Sequence, residues 1–150
     1  MNIVIFGCGR TGASLALQLS GRHQVTIIEQ NPEALRRLGI RHNCKIVLGS
    51  GIDEDVLERA NVGTCDVFFA VTRGDNTNLM AAQVAQMSYG VKKLCIRVAD
   101  PVRADAYNKL GFFCITPANL LAGFMRDWVE EKEFQPIDGY NMLPKELELN

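Results

Sequence analysis

Ile3-Val4-Ile5-Phe6-Gly7-Cys8-Gly9-Arg10-Thr11-Gly12 is the stretch from which the rest of the chain is read. Four consecutive apolar residues predict a short strand buried on both faces, and the glycines that end it form G-x-G-x-x-G ahead of a helical run from Thr11 to Leu19. In that position each glycine has its own task. Gly7 permits a tight turn, Gly9 lets backbone N–H groups approach a pyrophosphate with no Cβ in the way, and Gly12 lets the helix pack close to the strand. The positive end of the helix, with Cys8, Arg10 and Thr11 around it, then faces the phosphates. Arg10 in a first helical turn opposes the helix dipole unless an anion is present.

About 20 residues further on, Glu29 ends a second apolar run, where a carboxylate accepts hydrogen bonds from the ribose hydroxyls of a dinucleotide. Its charge repels a 2′-phosphate, and Gln30-Asn31 follows with no arginine, so NAD(H) or an adenosine phosphate is favoured over NADP(H). The alternative is a glycine turn and a solvated glutamate with no ligand.

The same kind of apolar run recurs at Val25–Ile28, Cys44–Leu48, Val67–Val71 and Leu94–Val98, with Phe113–Ile115 as a sixth. Helices are expected between them at Pro32 to His42, Asp53 to Ala60, Asn76 to Met87, Pro101 to Leu110 and Pro117 to about Lys132. Asn31-Pro32, Asp100-Pro101 and Thr116-Pro117 each place a capping side chain before a proline that suits the first helical position. Gly39, Gly63, Gly90 and Gly111 mark stops. Alternation of strand and helix demands a parallel sheet with helices on both faces, an α/β doubly wound, Rossmann-like fold of about six strands.

Length and composition agree with one such domain. The 150 residues are 47% hydrophobic and 22% charged, which excludes a disordered or collagen-like chain. Sixteen basic against 17 acidic side chains leave a formal net charge of −1, so there is no overall positive field for nucleic acid. The five cysteines are scattered without a C-x-x-C pair and are expected to be buried thiols in a reducing compartment. With no signal-like or bilayer-length apolar segment, the expected location is the cytoplasm. Residues 1–133 are expected to form the domain. The remainder, 134–150, ends in Lys145-Glu146-Leu147-Glu148-Leu149 and is expected to be a tail or linker stub.

With the glycine loop, Glu29, Gly49-Ser50-Gly51-Ile52-Asp53, Ala70-Val71-Thr72 and Arg97-Val98-Ala99-Asp100-Pro101 in this order, the chain resembles the TrkA-N, KTN or RCK N-terminal family. These are the nucleotide-binding regulatory domains of bacterial potassium transporters and channels. The resemblance runs from Asn2 to about Trp128. It implies a sensor that binds NAD(H) first, or ATP/ADP or AMP, forms a homodimer or a higher ring, and passes a shape change to a membrane potassium transporter or channel at the inner face of the membrane. On the same resemblance Arg10 reaches the phosphates, Ser50 and Gly51 flank the adenine with Ile52 beside them, and Thr72 and Arg73 lie near the distal half of the ligand. Asn78 and Arg97 are further ligand candidates.

Two departures bear on the ligand. Ser50 stands where the family usually has Asp, which exchanges a carboxylate acceptor for a hydroxyl near the base. Thr116-Pro117-Ala118 replaces Ser-Pro-Glu, removing an acid tied in ATP-regulated relatives to phosphate or cation sensing, and this shifts the expectation toward a dinucleotide. Relatives commonly continue into a second regulatory domain, so the chain is either a stand-alone sensor or a piece of a longer protein.

Other residues carry two readings each. Leu120, Leu121, Phe124, Met125, Trp128 and Val129 recur at helical spacing and form either a cover for the sheet edge or a dimer surface. Arg97 either pairs with Asp66, Asp75 or Asp100 or contacts the ligand. Cys8 is either a plain loop residue or a thiol with its pKa lowered by the helix end. His23 and His42, with no partner at metal spacing, are expected at the surface. A non-catalytic sensor is the first function expected, and a small NAD-dependent oxidoreductase is the alternative. Against the enzyme, the run from Thr72 to Asn78 offers Asp75 but no His, Tyr or Lys for proton transfer.

Overall fold

The computed structural model describes residues 1–144 and Leu147, so of the expected tail or linker stub 134–150, residues 145, 146 and 148–150 lie outside the described residues. The chain divides into two compact units, Met1–Ile96 and Arg97–Asn150. In chain order the strands and α-helices are β1 (Asn2–Phe6), α1 (Arg10–Leu19), β2 (Gln24–Glu29), β3 (Lys45–Leu48), α2 (Glu54–Arg59), β4 (Val67–Ala70), α3 (Asp75–Tyr89), β5 (Leu94–Arg97), α4 (Pro101–Lys109), β6 (Cys114–Ile115), α5 (Pro117–Val129) and α6 (Ile137–Tyr140). The six-stranded parallel sheet has the order β3-β2-β1-β4-β5-β6, the doubly wound arrangement expected from the sequence.

Within the first unit, β1 lies between β2 and β4, with Ile5 opposite Ile27 and Phe69. Ile5, Ile27, Ile28 and Phe68 are fully buried, which is why these strands read as continuous apolar runs. Each such side chain contributes about 1.5–3 kcal/mol by burial. One layer of the core joins Ile3, Ile5, Val25 and Ile27 of the sheet to Ala13 and Ala16 of α1 and to Leu38. Alanines on that face of α1 let the helix lie close to the strands.

Three expectations for this unit are corrected. The run Cys44–Leu48 was expected to be buried on both faces, but β3 is the sheet edge: Lys45, Ile46 and Leu48 are exposed and only Val47 is buried. The helix expected from Pro32 to His42 is a 3-10 helix, Pro32–Leu38, started by the Asn31 side chain accepting from the Glu33 N–H and stopped at Gly39, where φ is +69°. A positive φ is open to glycine and closes the helix four residues early. The stop assigned to Gly63 falls instead at Asn61, which takes the left-handed conformation at φ 57°.

In the second unit, Val98 N–H donates to the Ile115 carbonyl of β6. Asp100 caps α4 by accepting from the N–H groups of Val102 and Arg103. Beyond α5 the chain turns back. Tyr140 is buried, its ring stacks on Phe124 at 4.6 Å, and its hydroxyl donates to Asp127 at 2.8 Å and accepts from Gln135 N–H at 2.8 Å. Gly123 makes room for it, since a Cβ there would lie 2.4 Å from the Tyr140 ring. The Asn141 side chain donates to the Cys114 carbonyl and accepts from Thr116 N–H, giving β6 a partner along one edge.

Candidate functional site

All strands of the first unit run parallel, so the turns after β1, β2, β3 and β4 gather at one edge of the sheet. The order reverses between β1 and β4, and in open α/β sheets a crevice forms at such a switch point, outside the carboxyl ends of the strands. The predicted site residues from Gly7 to Asn78 belong to these turns, to the helices they begin and, for Glu29, to the last position of β2.

Gly7 has φ +106°, donates to the Ile28 carbonyl at 2.8 Å, and faces Thr72 so closely that a Cβ would lie 3.0 Å from the Thr72 nitrogen and Cγ2. Gly12 is buried beneath it: a Cβ there would lie 1.9 Å from the Gly7 carbonyl oxygen. Both glycines are therefore required by the packing of the chain itself. Gly9 is different. It is exposed, its φ of −70° suits any residue, and beyond its own backbone and its chain neighbours no described atom lies within 4 Å of where its Cβ would stand. It is the N-cap of α1, no side chain caps that helix end, and the first turn holds no acid, while Arg10 and Thr11 stand exposed beside it. The backbone of this turn is open to an anion.

Glu29 turns toward the same loop. Oε2 accepts from Cys8 N–H at 2.6 Å and Oε1 from Asn31 N–H at 2.9 Å. Gln30 beside it is exposed. After β3, Gly49 takes φ +144° against Val56, Ser50 is buried, and Gly51 lies under the Phe6 ring, where a Cβ would meet ring carbons at 2.5 Å. Ile52 is half-buried at the start of the turn to α2. Gly51 is thus held in place by β1, and it brings the third turn against the first.

The turn after β4 is organised from within. Thr72 is half-buried and Arg73 exposed, but Asn78 is fully buried, and its amide faces Thr72 rather than the surface. Asn78, one of the ligand candidates by sequence, has both atoms of its amide bonded to Thr72. Arg97 is the last residue of β5, is half-buried and opens the second unit.

Cys8 also departs from one expectation. Burial, followed by the nearby Glu29 carboxylate, pushes its thiol up to about 11, so the helix end does not create a thiolate there. Its side chain belongs to the core under α1. Among the described residues no group of three or more His, Cys, Asp and Glu could hold a metal ion, and no helix is long and apolar enough to cross a membrane. His23 and His42 are half-buried; His23 lines an open cleft of about 430 Å³ with Asn43 and Lys45 at the opposite edge of the sheet, and His42 accepts from Cys44 N–H.

On α5 the predicted apolar face is laid open: Leu121, Phe124, Met125, Trp128 and Val129 are all exposed, Trp128 at 74%. Behind it Asp127 is buried. Burial pushes its carboxyl up, but hydrogen bonds from Arg126 and Tyr140 outweigh this and hold it below the usual carboxylate range. The isolated Gly123 in a helical run was the one sequence signal for this network.

A family model described as the TrkA-N domain matches residues 3–116. The Trk system potassium uptake protein TrkA of Streptomyces coelicolor is 43% identical over 112 residues, covering 74% of this chain and 50% of the relative. The chain covers 50% of this relative's length and 22% of that of the Trk system potassium uptake protein TrkA of Vibrio alginolyticus. Among solved structures, the Shewanella denitrificans Kef CTD in its AMP-bound form superimposes with a TM-score of 0.70 at 18% identity, over 92% of this chain and 85% of that one. The GsuK channel bound to NAD gives 0.67 at 22% identity, over 81% of this chain and 22% of the channel. At these identities the structural likeness establishes the fold.

Proposed function

The chain belongs to the TrkA-N domain family, and from that premise we propose that it is a non-catalytic, nucleotide-sensing regulatory subunit or domain of a potassium transport system. One observation carries the ligand: Gly9 has neither a backbone conformation nor a neighbour that requires glycine, yet it stands at the uncapped start of α1 in the switch-point crevice. A pyrophosphate drawn against that turn supplies the missing requirement, because a Cβ would hold it away from the N–H groups.

NAD(H) is the first ligand in this reading, with ATP/ADP or AMP as alternatives and NADP disfavoured. Glu29 sits beside the loop with each carboxylate oxygen holding one backbone N–H, and each oxygen has a further lone pair for a ribose hydroxyl. AMP and NAD are the ligands named for the two structural neighbours, which supports an adenine nucleotide. Residues 1–133 are read as the sensing domain, and of the tail or linker stub expected after it, Tyr140 and Asn141 pack back on α5 and β6. A homodimer or larger ring forms through the exposed face of α5, and a membrane potassium transporter or channel reads its shape. The ligand shifts that shape only by its difference in affinity for the two states.

The test is titration of the purified chain with NAD, NADH, ADP, ATP, AMP and NADP, following heat and sedimentation together. Binding of one class with a change in assembly or shape supports the sensor. Tight binding with no such change contradicts it and points to a substrate, as an oxidoreductase would need.

A further inference from the structure

Asn78 is the fourth residue of α3 and is fully buried, although its side chain is a polar amide. Its Oδ1 accepts from the backbone N–H of Thr72 at 2.9 Å and from the Thr72 hydroxyl at 2.6 Å, and its Nδ2 donates to the Thr72 carbonyl at 3.1 Å. The Thr72 hydroxyl in turn accepts from Gly74 N–H at 3.3 Å, and Asn78 N–H returns to the Gly74 carbonyl at 2.9 Å. The carboxamide presents an acceptor and a donor in one plane, whereas an aspartate carboxylate lacks the donor and a leucine lacks both. On its other side Thr72 packs against Gly7, and Val71 N–H donates to the Phe6 carbonyl at 2.9 Å. A continuous line of contact therefore runs from the interior of α3, through Thr72, to the first glycine of the loop.

We propose that Asn78 is a positioning residue for the nucleotide, holding the turn after β4 against the glycine loop so that the phosphate crevice stands formed before the ligand arrives. This rests on the nucleotide-sensor reading above. A turn of Thr72-Arg73-Gly74 freed from Asn78 samples many conformations, and binding then has to order it; the clasp removes that cost in advance. It also links occupancy of the crevice to α3, since a ligand that presses on Thr72 presses on Asn78.

The full chain is titrated with ADP and with NAD by calorimetry, in wild type, Asn78→Leu, Thr72→Val, Thr72→Ser and Val62→Ala. Asn78→Leu is expected to weaken both ligands about tenfold, with amide exchange accelerated at residues 72–74. Thr72→Val, which removes only the hydroxyl, weakens them in the same direction, and Thr72→Ser restores the affinity. Val62→Ala, a truncation in the core away from the crevice, lowers stability and leaves affinity unchanged, which separates positioning from general destabilisation. Should Asn78→Leu not fold, Thr72→Val against Thr72→Ser decides. Affinities within twofold of wild type in a folded Asn78→Leu or in Thr72→Val overturn the positioning role alone, while a wild-type chain that binds neither ADP nor NAD overturns the sensor reading and this inference with it.

Discussion

Glu29 Oε2 and the backbone nitrogen of Cys8 are 2.6 Å apart, so the last residue of β2 fastens the glycine loop that follows β1. The acid expected to hold a ribose is therefore also part of the loop's own structure. Replacing it by arginine removes the acceptor for the buried Cys8 turn and puts a positive charge where a 2′-phosphate would lie. Glu29→Arg is expected to raise the NADP-to-NAD affinity ratio about tenfold or more and to cost about 1–3 kcal/mol of stability. Calorimetry with both dinucleotides, beside a thermal melt, checks both parts. A ratio that stays put removes Glu29 from the ribose.

Gly12 and Gly51 report on packing rather than ligand. A Cβ at Gly12 meets the Gly7 carbonyl oxygen, which cannot move without breaking the loop, and a Cβ at Gly51 meets the Phe6 ring. Gly12→Ala and Gly51→Ala should each lose about 1–3 kcal/mol or more in urea unfolding. Melting at wild-type denaturant concentration would contradict the close approach of these turns.

Thiols with raised pKa make stability fall at alkaline pH. Burial pushes Cys8, Cys65 and Cys95 each to about 11 from 9.0, so the unfolded chain gives up these protons at lower pH than the folded one. Stability from this source is complete below pH 9 and is lost as pH rises from 9 through 11. Urea midpoints measured from pH 7 to 11 should be flat at first and then fall. Cys8 should accordingly react slowly with iodoacetamide near neutral pH, and rapid labelling of Cys8 in the folded chain would contradict its burial.

Trp128 is 74% exposed on an α5 face that also presents Leu121, Met125 and Val129. If this face joins two copies, Trp128→Glu should raise the dimer dissociation constant at least 30-fold, enough to give monomers in sedimentation at micromolar concentration. A dimer that survives the substitution places the seam on another surface.

The strands and the glycine turn were legible because buried parallel strands are plain apolar runs and because a G-x-G-x-x-G between strand and helix has few other uses. The place of Glu29 at the end of β2 was legible by spacing. The motif assigned each of its glycines a task, but it could not show which atoms crowd them: Thr72 at Gly7, the Gly7 carbonyl at Gly12, and open space at Gly9. Nor did it show that Asn78 turns inward, because its partner is the backbone of a turn six residues earlier. Ile46 and Leu48 misled for a related reason: an edge strand can carry the same side chains as a central one. Tyr140 and Asp127 were missed because their contact depends on the chain reversing after α5.

Gly9 offers the most direct measurement, since a methyl group there meets no described atom beyond its chain neighbours. Gly9→Ala should change stability by less than about 1 kcal/mol, because the entropy that alanine removes from the unfolded chain is offset by its poor fit at an N-cap. Titrated with NAD and ADP, it should bind at least tenfold more weakly than wild type, because the same methyl group stands between the loop and the pyrophosphate. Equal affinity in wild type and Gly9→Ala, or no binding by the wild type, would contradict nucleotide sensing at this loop.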